Sequence, residues 1–240
     1  MQIKSKIFFR SFTVVIFVVI LAYVLGWSSI FSVESIAIHG TKQVALVESQ
    51  LLTSGSKLVI GKPMARINPA TEEKIISGLE WIESVKIARD WLNRKIEVTV
   101  KERTPVAVFT PPAGVDSGNI EPRYLAGDGI EFSSPEIYEN LATISLGNKS
   151  LSQRRQAAIF VANLPADILK TLINLQIRKS GAILMYSDFR QGGLKINWGA
   201  GNSAMDVTIK GRILKGLLAL PENKKITEVD LTIAASPIVR

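Results

Sequence analysis

The sequence predicts an α+β protein behind an N-terminal transmembrane helix, and three observations carry that reading. Residues 11–30 hold no charge and are almost wholly apolar. From 31 to 102 the hydrophobic period switches from two to 3.6 and back to two, in the order β-α-α-β-β. From 103 to 240, short alternating segments and helical patterns are mixed.

The first element is SFTVVIFVVILAYVLGWSSI at 11–30, extended by Ile7, Phe8 and Phe9 before Arg10. At about 1.5 Å per residue it can cross a hydrocarbon core of about 30 Å. Tyr23 and Trp27 stand near its C-terminal end, where interfacial aromatics belong. Lys4, Lys6 and Arg10 precede it, whereas the flank as far as His39 holds only Glu34. The positive-inside rule therefore makes 1–10 a cytoplasmic tail and puts everything beyond about residue 30 outside the cell membrane, in a single pass. A cleaved signal peptide fits less well: the apolar run is too long, and Val24-Leu25-Gly26 is a poor substitute for a small-x-small cleavage site.

FSVESIAIH at 31–39 alternates and ends at the Gly40-Thr41 turn, which predicts a strand. Val44, Leu46, Val47 and Leu51 then follow a helical spacing closed by Ser54-Gly55. Asn68-Pro69 supplies a cap and a first-turn proline for a second helix over 70–79. Glu72 and Glu73 fall in its first turn, where the helix dipole favours acids, and Gly78 weakens its last turn. Two alternating segments follow, at 85–89 and 96–100, joined by a hairpin loop over 90–94. A three-stranded sheet with both helices on one face buries enough apolar surface for a domain of this size.

Composition narrows the function. With 47% hydrophobic residues the chain is too apolar to be disordered. It has no cysteine, which excludes a disulfide scaffold, a thiolate metal site and a cysteine nucleophile. Of the net charge of +8, Lys4, Lys6 and Arg10 supply three, and elsewhere Lys and Arg alternate with acids. That describes a solvated surface and not a nucleic-acid-binding stripe, so no nucleic-acid partner is expected.

Catalytic patterns are missing. His39 is the one histidine, so neither a multi-His metal site nor a supported Ser-His-Asp set can form. The run 55–63, GSKLVIGKP, differs from a phosphate loop in its glycine spacing and in having proline after Lys62. It reads as a turn between helices. WGAGN at 198–202 lacks the third glycine of a dinucleotide fingerprint. Asp128-Gly129 reads as a hairpin turn, and Glu136 and Glu139 as residues of helix starts or polar faces. No cofactor, metal or enzymatic activity is expected.

One set of residues resembles a known family. An apolar anchor is followed by Val33, Ile36, Ile38, Gly40, Gly61, Pro63, Val85, Arg89, Trp91, Ile96, Val98, Val100, Glu102, Arg103, Pro105, Val106 and Ala107. That pattern resembles the POTRA domain of the FtsQ/DivIB bacterial cell-division proteins. Leu92 departs from it, since the family commonly has proline after this tryptophan. YLAGDGIEF at 124–132 is similar to the family's second-domain hairpin. A helix over 152–163, strands at 175–178, 182–187 and 194–198, a helix over 204–220 and a closing strand at 226–233 follow. They suit that family's second domain, a mostly antiparallel sheet with helices.

The resemblance implies a POTRA domain over 31–102 and a partner-binding β domain over 103–240. It implies a non-enzymatic scaffold of the division complex at the septum, joined to FtsB/DivIC-like and FtsL-like single-span proteins. The family's C-terminal strand contact carries over onto Val229, Asp230, Leu231, Thr232, Ile233 and Ile238. In TEVDLTI, Val229, Leu231 and Ile233 alternate with Asp230 and Thr232, which predicts an edge strand with its apolar face inward. Lys101-Glu102-Arg103 reads as the polar exit of the last POTRA strand. Glu102, Arg103 and Pro105 then form an interdomain joint, with Pro105 stiffening the next strand. Two other readings are a POTRA-bearing outer-membrane transport factor and an anchored cell-wall hydrolase. The first requires many strands of about ten residues, which the mixed pattern after 103 does not supply.

Overall fold

Helix α1 (Gln2–Trp27) opens the chain, and a separate 3₁₀ turn, Ser29–Phe31, follows it. The computed structural model describes residues 2–27, 29–110, 121–147, 150–189, 192–200 and 203–240; within 2–27, side chains are described at 12–23 and 26. Phe12, Phe17 and Val19 are exposed along the helix. The transmembrane helix expected over 11–30 is not found in the structure: among the described residues no helix is long and apolar enough to cross a membrane. The helix stops at Trp27, short of the expected residue 30. The side chains of Lys4, Lys6 and Arg10 lie outside the described residues.

The chain divides into two units, Met1–Arg103 and Thr104–Arg240. In the first, α1 is followed by β1 (Ser35–His39), α2 (Val44–Thr53), α3 (Pro69–Ile76), β2 (Ile82–Asp90) and β3 (Lys95–Glu102). The sheet runs β1-β3-β2, with β3 parallel to β1 and antiparallel to β2. Ile87, Ile96, Val98 and Val100 of the sheet and Val47, Leu51 and Ile76 of the helices are all buried.

Local chemistry sets the boundaries. The alternating run 31–39 becomes strand only from Ser35. Before that, Val33 bonds to the loop ahead of α3, its N–H to Lys62 O (2.9 Å) and its carbonyl to Gly61 N–H (2.8 Å). Asn68 Oδ1 accepts the Ala70 N–H at 3.2 Å, capping α3 where Pro69 needs no donor. The helix ends at Ile76, two residues before Gly78 and short of the expected 79. Gly40 takes φ +85, and a Cβ there would lie on top of the Val100 carbonyl, so the turn after β1 requires glycine.

Among the described residues, the second unit holds one nine-stranded sheet and three α-helices. In chain order these are β4 (Pro105–Phe109), β5 (Arg123–Ala126), β6 (Glu131–Ser133), β7 (Thr143–Leu146), α4 (Leu151–Asn163), α5 (Ala166–Thr171), β8 (Leu172–Ile177), β9 (Ile183–Ser187), β10 (Leu194–Gly199), α6 (Ala204–Ala219), β11 (Glu228–Asp230) and β12 (Ile238–Val239). The sheet runs β12-β11-β10-β9-β8-β7-β4-β5-β6 and is antiparallel except at β4–β7, β7–β8 and β10–β11. Alternation along each strand puts Leu175, Ile177, Met185, Ile196 and Trp198 under the helices with Phe160, Val207 and Leu214. Phe160 meets Trp198 edge to face at 5.1 Å. The opposite face is polar, carrying Asn174, Lys195, Asn197 and Asp230. The residues read as helix starts or polar faces at Glu136 and Glu139 lie instead in irregular backbone between β6 and β7, while Gly201 and Asn202 of the 198–202 run lie outside the described residues.

Candidate functional site

The residues expected to meet a partner sit where β10, β11 and β12 come together. β11 runs parallel to β10, with Lys195 opposite Glu228, Ile196 opposite Val229 and Asn197 opposite Asp230. The period of two sends Val229 and Leu231 into the core, each 0% exposed. Glu228 and Asp230 turn to the polar face. Glu228 accepts Lys195 Nζ at 3.2 Å, and Asp230 accepts Asn197 Nδ2 at 3.0 Å. Asp230 Oδ1 also accepts the Thr232 N–H at 2.8 Å, so its side chain replaces the ladder and ends the strand. Hydrogen bonds from Thr232, and then from Asn197, hold the Asp230 carboxyl below its ordinary value.

The alternation read over 229–233 therefore stops early. Leu231 still donates to Asn197 O at 2.7 Å, but Ile233 lies outside the sheet and is 65% exposed. A turn closed by Ser236 N–H to Ile233 O (3.0 Å) brings the chain back as β12. Glu228 and Arg240 exchange both backbone bonds, at 3.0 and 3.1 Å. This corrects the expected edge: β11 is paired on both sides, and β12, with Ile238, is the outermost strand. Because residues alternate across an antiparallel pair, Val239 turns its N–H and carbonyl away from β11. Pro237 has no donor to add, which keeps the open edge short.

Two features that support this corner do not stand out in the sequence. Gly199 has φ +72, and a Cβ there would come 2.9 Å from Thr232 Cα, so the turn after β11 packs on a bare backbone. Lys210 is 6% exposed and donates from Nζ to Trp198 O and Ala200 O, both at 2.7 Å. Burial lowers its pKa from the ordinary lysine value, opposed by the charges of Asp206 and Asp230. Lys210 stands three residues after Val207 and four before Leu214, in the apolar stripe of α6. That position is the signal a sequence reading could have used.

The joint residues have clear local roles. Glu102 ends β3, and its Oε1 is buried with no hydrogen-bond partner among the described residues. Arg103 donates from its N–H to Trp81 O at 2.8 Å and from Nε to Glu80 O at 3.1 Å, tying the strand exit to the segment before β2. Pro105 is buried as the first residue of β4, where a missing donor costs no central ladder bond.

Glu72 lies in the first turn of α3, as the sequence predicts, but faces inward. It is 1% exposed and accepts the Ser56 hydroxyl and, at 3.1 Å, the Lys57 N–H, so it anchors the loop before α3. Its neighbour Glu73 accepts the Ile87 N–H of β2 at 2.8 Å. His39 is exposed at the end of β1, and no group of three metal-ligating side chains occurs among the described residues.

Residues 31–103 match the family model described as the POTRA domain, FtsQ-type. None of the curated proteins matches the chain. The match covers the segment in which β1, α2, α3, β2 and β3 form the three-stranded sheet. The FtsQ-type POTRA domain at 31–103 suggests a cell-division role and supports the resemblance to FtsQ/DivIB-type proteins.

Proposed function

We propose that the chain is a non-enzymatic, membrane-anchored scaffold of the bacterial division complex. In this reading α1 and its charge-free stretch 11–30 anchor it in the cell membrane, with the N-terminus cytoplasmic and both folded units outside. The second unit joins FtsB/DivIC-like and FtsL-like single-span proteins at the septum, and Glu102, Arg103 and Pro105 set the orientation between the units. The observation that carries the reading is the FtsQ-type POTRA domain, together with a sheet whose outermost strand beside β11 is short. A partner strand adds to β12 through the backbone of Val239. Ile233 and Ile238, 65% and 52% exposed, supply apolar side-chain contacts, while Asp230 and Thr232 shape the turn beside them. Val229 and Leu231 support the site from the core.

A fluorescent fusion tests the role: a midcell band in dividing cells is expected, and an even membrane signal would reject it. Deletion of 236–240 tests the site. Loss of capture of the FtsB/DivIC-like protein, with the fold retained by circular dichroism, is the expected result.

A further inference from the structure

One end of the first unit presents exposed apolar side chains ringed by cations, and it is the end at which α1 enters. The bonds of Val33 to Lys62 and Gly61 put the loop 56–62 against the start of the unit. On the other side, Glu34 N–H donates to Arg94 O at 2.8 Å, so the β2–β3 hairpin tip lies there too. Phe31 packs edge-on against Trp91 at 6.0 Å, and α1 itself lies beside Met64–Arg66. Arg89 bonds Met64 O and Ile67 O at 3.2 Å, locking the loop to the end of β2.

The tips of both loops are apolar. Ile60 is 64% exposed and Leu92, which stands where the family commonly has proline, is 93% exposed. They are held out from below: Leu58 is buried, and Glu72 fixes Ser56 and Lys57 at the base of the loop. Lys57, Lys62 and Arg66 line a shallow pocket of about 420 Å³ with Pro63. The acids at this end are engaged locally, Glu34 by Arg94 at 2.5 Å and Asp90 by Asn93 at 2.7 Å. Apolar tips flanked by cations beside an apolar helix match the chemistry of an anionic membrane surface, where rings and chains enter the headgroup boundary and lysines meet phosphates.

We propose that this end of the POTRA domain docks on the anionic lipid surface that α1 enters. Ile60 and Leu92 sit in the headgroup boundary, and Lys57, Lys62 and Arg66 contact lipid phosphates. The proposal rests on the reading of α1 as a membrane anchor. Docking at this end fixes the height and tilt of the POTRA domain over the bilayer.

The chain has no cysteine, so Ile60→Cys and Leu92→Cys each give a unique site for an environment-sensitive fluorophore. Lys42→Cys, beyond Gly40 at the opposite end of the sheet, is the reference. The full chain is reconstituted into phosphatidylcholine vesicles with or without phosphatidylglycerol. Labels at 60 and 92 are expected to emit to the blue of label 42 and to be quenched by a lipid-borne quencher. The shift grows with phosphatidylglycerol, and the double substitution Lys57→Ala/Lys62→Ala removes that dependence. If the chain floats with the vesicles but all three labels report water, docking is overturned and the anchor stands. If shifts at 60 and 92 arise only on adding the FtsB/DivIC-like protein in detergent, the face binds protein and the proposal is likewise overturned. A chain that does not float overturns the anchor and the docking together.

Discussion

Val239 of β12 stands directly across from Val229 of β11, and the Val229 side chain is fully buried while the Val239 backbone faces outward. The edge available to another chain is therefore one strand further out than the buried pair Val229 and Leu231. Val239→Pro removes the outward donor and leaves the Glu228–Arg240 bonds in place. Loss of one net backbone hydrogen bond, about 1 kcal/mol, weakens capture of the partner strand roughly fivefold. Titrated pull-down of the FtsB/DivIC-like protein checks this, and unchanged affinity would remove β12 from the interface.

Leu231 and Ile233 share one alternating pattern but have opposite fates, 0% and 65% exposed. Leu231→Ala should cost about 2–5 kcal/mol of stability, as buried leucines do. Ile233→Ala should stay within about 0.5 kcal/mol, as exposed positions do. Urea unfolding of both variants distinguishes a strand that ends at Asp230 from one that continues to 233. Ile233→Ala should instead lower partner affinity.

That pair shows what the sequence made legible and where it stopped. Long periodic segments declared themselves: α4, α6, β9 and β10 lie within a few residues of the patterns that predict them. The β-α-α-β-β order of the first unit also follows from periodicity and capping. The end of β11 does not, because the turn is made by one carboxylate taking the Thr232 N–H, and TEVDLTI keeps its period of two across that point. β12 and β7 are too short, at two and four residues, to impose a period. Glu72 illustrates the other limit. A first-turn acid fits the helix dipole equally well whether it faces water or a loop brought in from residues 56–57.

Asp230 gives the corner a pH dependence with a definite sign. Its bonds to Thr232 and Asn197 lower its folded-state pKa below the ordinary 3.8. The stability it contributes is therefore fully present above that value and is lost as pH falls through the lower, folded one. Hydrogen exchange at the Thr232 amide should accelerate over that acid range in the native protein. In Asp230→Ala the amide should exchange fast at every pH.

Lys210 behaves in the opposite direction. Its folded-state pKa lies below the ordinary 10.5 because the ammonium is buried, so the folded state gives up the proton first. Stability from this group is lowest below the folded value and rises as pH climbs toward 10.5. Lys210→Met keeps the stem but strands the Trp198 and Ala200 carbonyls, at a cost of about 1–3 kcal/mol. Chemical denaturation at a series of alkaline pH values should show the native protein gaining on the methionine variant.

Glu72 separates the fold of the POTRA domain from its loop. Its carboxylate holds Ser56 and the Lys57 N–H from inside α3, while the rest of the helix packs through Ile76 and needs neither bond. Glu72→Ala strands those donors and should cost about 1.5–3 kcal/mol, the range of hydrogen bonds to a charged group. Glu72→Gln keeps the shape and one acceptor and should cost less. Exchange at the Lys57 amide should rise in both variants, in the order alanine above glutamine, while the amides of β3 keep their relative protection. Equal loss across β3 would instead make Glu72 a support of the whole sheet.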